Sequence, residues 1–145
     1  MPNVAHVLSD KPNDAVYSIQ PEATVLEAIR LMAEKGIGAL VVTNPEQHVI
    51  GIFSERDYTR KVALLERTSK DTTVSEIMTS KVFTVTKKTQ VADCLEIMTK
   101  NHLRHLPVVD EHAKLIAMVS IGDLVKAVMD EQRRLIEQLE NYIAS

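Results

Sequence analysis

Two stretches decide how this chain is read: Val16–Val62, VYSIQPEATVLEAIRLMAEKGIGALVVTNPEQHVIGIFSERDYTRKV, and Val82–Val128, VFTVTKKTQVADCLEIMTKNHLRHLPVVDEHAKLIAMVSIGDLVKAV. They align without a gap at an offset of 66 residues (82 − 16). Val16, Val25, Met32, Leu40, Val42, Ile50, Ser54, Asp57 and Val62 meet their own kind in the second copy. Most other apolar positions stay apolar, as in Ile19/Val85, Ile29/Leu95 and Ile37/Leu103. Self-similarity on this scale marks a duplicated supersecondary unit. The two polar identities are Ser54/Ser120 and Asp57/Asp123.

Each copy reads as β-α-β-β-α. Val16–Ile19 and Val82–Val85 are short β-rich runs. Val25, Ala28, Ile29 and Met32 recur at helical spacing, as do Val91, Leu95 and Met98. Thr24 with Glu27 forms a capping box at the first helix, and Gly36 is placed to end it. Ala39–Thr43 and Val49–Phe53 follow as strands, joined by Asn44-Pro45-Glu46 as turn chemistry. Copy two repeats them as Leu106–Val109 and Leu115–Val119. A helix beginning at Ser54 or Ser120 closes each copy.

The expected fold is therefore α/β (α+β): two pseudo-symmetric repeats packed sheet to sheet, with a long C-terminal helix. One copy alone is a size at which burial barely offsets chain entropy. The divisions are an N-terminal segment 1–15, copy one 16–66, a polar linker 67–81, copy two 82–131 and a helical extension 132–145. From Leu124 to Ile143 apolar residues recur at a spacing near helical. That stripe either folds back on its own core or pairs with a second subunit; a helix overshooting its module favours the homodimer.

Composition narrows the classes. The 145 residues are 45% hydrophobic and 26% charged, with net charge −3, so nothing asks for nucleic acid. Aromatics make up only 3%, without Trp, which disfavours a base-stacking platform. No 18-residue apolar run spans a membrane, no signal peptide is visible, and a lone cysteine, Cys94, forms no intrachain disulfide. A cytoplasmic setting is expected. His102, His105 and His112 lack Cys or paired carboxylates at ligand spacing, so no metal is expected. Cys94 falls on the inward helix face with Val91, Leu95 and Met98 and reads as core. No Walker A, G-x-S-x-G or G-x-G-x-x-G is present, and no enzyme is expected.

Chemistry concentrates where strand turns into helix, at Gly51–Asp57 (GIFSERD) and Ala117–Asp123 (AMVSIGD). Both carry S-x-x-D, which is itself a capping box. The same geometry offers N–H groups to a phosphate and a carboxylate to ribose hydroxyls. Capping and binding are compatible readings.

The repeat, with Leu106-Pro107-Val108-Val109-Asp110, Ile50-Gly51-Ile52-Phe53-Ser54 and the S-x-x-D ends, resembles a tandem pair of cystathionine β-synthase (CBS) domains. The strings Phe53–Val62, Val74–Thr79 and Glu137–Ile143 resemble small stand-alone bacterial members. The resemblance implies a non-catalytic homodimeric sensor binding AMP, ADP, ATP, NAD(H) or S-adenosylmethionine between the copies, and regulating an enzyme or transporter. It implies one cleft with Ser120 and Asp123 on the sugar, Met118 and Arg104 nearby, and Tyr17, Ile37 and Gly38 at the base. The related cleft would use Ile52, Ser54 and Asp57, with Phe83 and Leu103 as base wall. Arg56 and Arg60, spaced i, i+4, could reach phosphates, unless Arg56 pairs with Glu55 or Glu66 on the surface. Phosphate would draw these and Arg104 together and shift the copies or subunits. Gly38-Ala39 against Arg104-His105, and Arg56 against Gly122, make the clefts inequivalent. The competing reading is a structural dimerisation and interaction module with degenerate clefts.

Overall fold

The computed structural model describes residues 1–11 and 16–144. The architecture is mixed α/β, with two β-α-β-β-α-like copies and a long C-terminal helix. Two compact units are present, and neither is a continuous piece of chain.

The first unit spans 16–83 and takes in 111–115. Strand β1 (Ser18–Ile19) pairs parallel with β2 (Ala39–Thr43), which pairs antiparallel with β3 (Val49–Ser54). Helix α2 (Val25–Lys35) starts where the Thr24 hydroxyl accepts from the Glu27 N–H and stops at Gly36, in the left-handed region at φ 66°. Val25, Ala28 and Met32 turn inward from α2 onto Leu40, Val42 and Phe53 of the sheet, with Val62, Val74 and Ile77 completing the core. The closing helix α3 (Glu55–Tyr58) widens at once into a π turn, Thr59–Ala63. There the Thr59 hydroxyl donates to the Glu55 carbonyl, a bond that competes with the helical ladder.

The second unit comprises 1–11, 84–110 and 116–144 among the described residues. Helix α5 (Val91–Asn101) packs with β4 (His105–Val109), which is joined to β5 (Leu115–Ser120). The run Val82–Val85, expected as a strand, contributes only a bridge at Val85, paired parallel with Val108. Pro107 stands where copy one has Val41, and without an N–H it cannot extend that ladder. The long helix α6 (Ile121–Ala144) has 24 residues, about 36 Å at 1.5 Å per residue. Leu124 is buried, whereas Val125, Met129, Leu135, Ile136, Leu139, Tyr142 and Ile143 are exposed. Its first turns pack with α5, but the stripe from Met129 onward is left exposed.

The segments read as N-terminal arm and linker are framework. Helix α1 (Val4–Asp10) and helix α4 (Val74–Ile77) both open on a capping box, Asn3 with His6 and Thr73 with Glu76. In the first unit Val74 N–H donates to the Ala23 carbonyl, Ser75 to Pro21, and Val25 back to Thr72. In the second, Val4 donates to Thr89, Ala5 to Lys87, and Val91 back to Pro2. The two sets correspond residue for residue. The helix that precedes copy one thus hydrogen-bonds to copy two, and the helix that precedes copy two hydrogen-bonds to copy one.

Candidate functional site

The two S-x-x-D turns are the chemical centres of the units. At the start of α3, Ser54 Oγ accepts from the Asp57 N–H at 3.2 Å, and Asp57 Oδ2 accepts from the Ser54 N–H and hydroxyl, both at 3.0 Å. The remaining oxygen, Oδ1, accepts from the Thr79 hydroxyl at 3.0 Å and faces Lys61 Nζ at 3.2 Å. Lys61 also donates to the Ile77 carbonyl. Asp57 is 7% exposed, so both of its oxygens are spoken for within a nearly dry site.

At the start of α6 the cap repeats: the Ser120 N–H donates to Asp123 Oδ2 at 2.9 Å, and the Asp123 N–H donates to Ser120 Oγ at 3.1 Å. The lysine differs. Ala127 occupies the position of Lys61, and the ammonium comes instead from Lys11, just beyond α1. Lys11 Nζ lies 3.0 Å from Asp123 Oδ2 and donates to the Met118 carbonyl at 2.8 Å. Burial pushes the Asp123 carboxyl up, but the Ser120 N–H and Lys11 outweigh it, and the group titrates below its ordinary value. His105 lies close by; burial holds its imidazole below the ordinary value, Asp123 opposes that, and Lys11 and Arg104 add to it. The Arg104 carbonyl accepts the Ile121 N–H, which sets Arg104 beside the start of α6.

Of the residues named from sequence, the second unit thus brings Arg104, Met118, Ser120 and Asp123 together. The first unit joins Ile52, Ser54 and Asp57: the Ile52 backbone exchanges two hydrogen bonds with Thr79, whose hydroxyl reaches Asp57. Gly38 accepts the Glu55 N–H at the head of α3. Tyr17 and Ile37 pack on the core, with Lys35 Nζ 5.3 Å from the Tyr17 ring centre. Phe83 lies beneath Lys81, and Leu103 is half-buried. Arg56 and Arg60 are exposed across the π turn, and among the described residues neither joins an ion pair, with Glu55 and Glu66 included. Cys94 is fully buried, and its thiol is pushed up chiefly by that burial. Among the described residues no His, Cys, Asp and Glu group is placed to hold a metal ion, and no helix is long and apolar enough to cross a membrane.

Sequence reasoning missed Lys11, Lys61 and Thr79. Lys61, four residues after Asp57 on a predicted helix, carried a usable signal. Lys11 and Thr79 carried none, because each reaches its carboxylate only through chain reversal.

Comparison with known proteins bears on both units. The CBS domain family matches residues 4–64 and 74–130, ranges that take in α1 and α4. The chain is 44% identical over 124 residues to the mitochondrial CBS domain-containing protein CBSX3 of Arabidopsis thaliana, covering 83% of this chain and 60% of that protein. A CBS-domain protein from Burkholderia ambifaria superposes with a TM-score of 0.82 at 48% identity, over 90% of this chain and 96% of that one. CBSX2, crystallised in complex with AMP, shares the fold at 23% identity, with a TM-score of 0.74 over 90% of this chain and 98% of its own. With both copies matched and the duplicated S-x-x-D turns at equivalent places, the chain belongs to the CBS-domain family, as a tandem pair of its domains.

Proposed function

We propose that the chain is a non-catalytic regulatory module that binds an adenosine nucleotide or dinucleotide, with the Asp123 carboxylate taking the ribose hydroxyls. The observation that carries this is the difference between the two capped carboxylates. Asp57 has both oxygens engaged and is almost dry, whereas Asp123 keeps a side chain one-quarter exposed, with the Ser120 N–H and Lys11 both on Oδ2. An ionised carboxylate with accessible acceptor capacity suits vicinal hydroxyls, as in dinucleotide folds. Ser120 caps it, the Met118 carbonyl shares its lysine, and the Arg104 carbonyl accepts the Ile121 N–H at the same helix start. The family resemblance adds Tyr17, Ile37 and Gly38 for the base. AMP in CBSX2, a protein of the same fold, supports the ligand class. The copy-one set of Ile52, Ser54, Asp57, Phe83 and Leu103 serves as the weaker or empty counterpart, with Arg56 and Arg60 available to phosphate.

Calorimetric and thermal-shift titration with AMP, ATP, NAD, NADH and S-adenosylmethionine tests the reading. A compound present at about a hundredfold its dissociation constant should add roughly 2.7 kcal/mol of stability. Asp123→Asn should abolish that gain and Asp57→Asn should leave most of it. No binding by any compound, or binding indifferent to Asp123, would refute the assignment.

Pairing of α6 with a second copy is a companion reading, favoured by the exposed Ile136, Leu139 and Ile143. Sedimentation should report a dimer that Ile136→Glu/Leu139→Glu disperses, and a monomeric parent chain would end it. The regulated partner would be an enzyme or transporter, and the setting a reducing cytoplasm.

A further inference from the structure

From the Lys11 contacts we infer that this residue determines specificity at the Asp123 site, selecting ligands that carry a phosphate next to the ribose. The inference rests on the ribose assignment above. Lys11 Nζ sits 3.0 Å from the carboxylate oxygen that caps α6 and 2.8 Å from the Met118 carbonyl, with three-quarters of its side chain out of solvent. The Ile52 carbonyl, which corresponds to that of Met118, accepts a backbone N–H from Thr79 instead. Copy two has therefore replaced a neutral main-chain donor with a full charge at this place.

The charge has a consequence once ligand arrives. Sugar hydroxyls that bond to Asp123 draw on the charge of the carboxylate that Lys11 faces through Oδ2, and so weaken the ion pair. A largely desolvated lysine with a weakened counter-ion is disfavoured. A ligand phosphate supplies a second anion, and a charge-assisted N–H···O bond to phosphate is among the stronger contacts available. A nucleoside offers no such anion. Arg104 stands at the same helix start and, with Lys11, beside His105, so two cations gather around the Asp123 carboxylate among the described residues. AMP and NAD fit this site; adenosine and the cationic S-adenosylmethionine do not.

Titration calorimetry of the full chain with AMP and with adenosine, on the parent, Lys11→Met, Lys11→Gln, Lys11→Arg and Asp123→Asn, tests the assignment. The parent should prefer AMP. Both neutral variants should cut the AMP-over-adenosine preference by about tenfold or more, the scale of one charge-assisted bond, mainly through weaker AMP binding. Lys11→Arg should keep most of the preference. Lys11→Gln retains a donor for the Met118 carbonyl, so it still reports if Lys11→Met folds poorly. An unchanged preference in the neutral variants, with binding lost in Asp123→Asn, overturns the role of Lys11 and leaves the ribose assignment standing. Binding that survives Asp123→Asn, or no binding by either compound, overturns both.

Discussion

The starts of α3 and α6 carry the same Ser-x-x-Asp frame, the same reciprocal cap and a lysine on the carboxylate, yet they are built for different ends. At Asp57 the lysine comes from the next turn of the same helix, and a threonine hydroxyl fills the remaining acceptor, so the carboxylate is internal cement. At Asp123 the lysine comes from the distant N-terminal segment, and part of the side chain stays open. Duplication preserved the cap because a helix start needs it locally. It did not preserve the third partner, which belongs to whichever segment crosses the helix end. A repeated motif is thus evidence for a repeated local requirement, and the crossing segment decides whether the motif is free for a ligand.

The largest expected break in the symmetry is in stability. Asp57→Ala should cost about 3 kcal/mol, because it removes three hydrogen bonds made to a nearly dry carboxylate and leaves the half-buried Ser54 N–H without its acceptor. Asp123→Ala should cost only about 1 kcal/mol, since that side chain is itself the more exposed, at 25% against 10% for Asp57. Urea unfolding of both variants checks this, and equal losses would make the two turns equivalent after all. Next is the close crossing over Gly51, where a Cβ would lie 3.2 Å from the Thr79 carbonyl oxygen and 2.5 Å from Met78 Sδ. Gly51→Ala should lose about 2 kcal/mol as the crossing is forced outward, although copy two carries Ala117 at the same position without difficulty.

The acid response should report the second unit. His105 is held neutral by burial below its ordinary value of 6.5, so the unfolded chain takes up a proton that the folded chain refuses. Stability should be complete above about pH 6.5 and fall as the pH drops toward the folded-state value. A second loss should follow below the ordinary Asp123 value of 3.8, again because the folded group titrates lower. Comparing urea midpoints at about pH 7.5 and about pH 5.5 in the parent and in His105→Gln tests the first part; an equal acid loss in the variant would remove His105 as its source.

The smallest effect concerns the helix ends. Gly36 and His102 occupy the same left-handed C-cap, at φ 66° and 55°. Only glycine adopts that conformation without a Cβ penalty. His102→Gly should stabilise by about 1 kcal/mol and Gly36→Ala should destabilise by a similar amount. Thermal unfolding of the pair measures both, and a destabilised His102→Gly would point to a contact of the imidazole that outweighs the strain.

Period and punctuation sufficed for much of this molecule. The gapless offset identified the duplication, the apolar spacing placed α2 and α5, and Ser-x-x-Asp located both helix caps, because each of these is decided by neighbours within a turn or a strand. The overshooting apolar stripe also identified α6 as a helix that does not cover itself. Tertiary structure alone decided that α1 completes copy two and α4 completes copy one, and that Lys11 and Thr79 stand on the carboxylates. Those outcomes depend on main-chain hydrogen bonds and ion pairs between residues far apart along the chain. No local propensity encodes them, and the same residues would read identically if the crossing segments were exchanged.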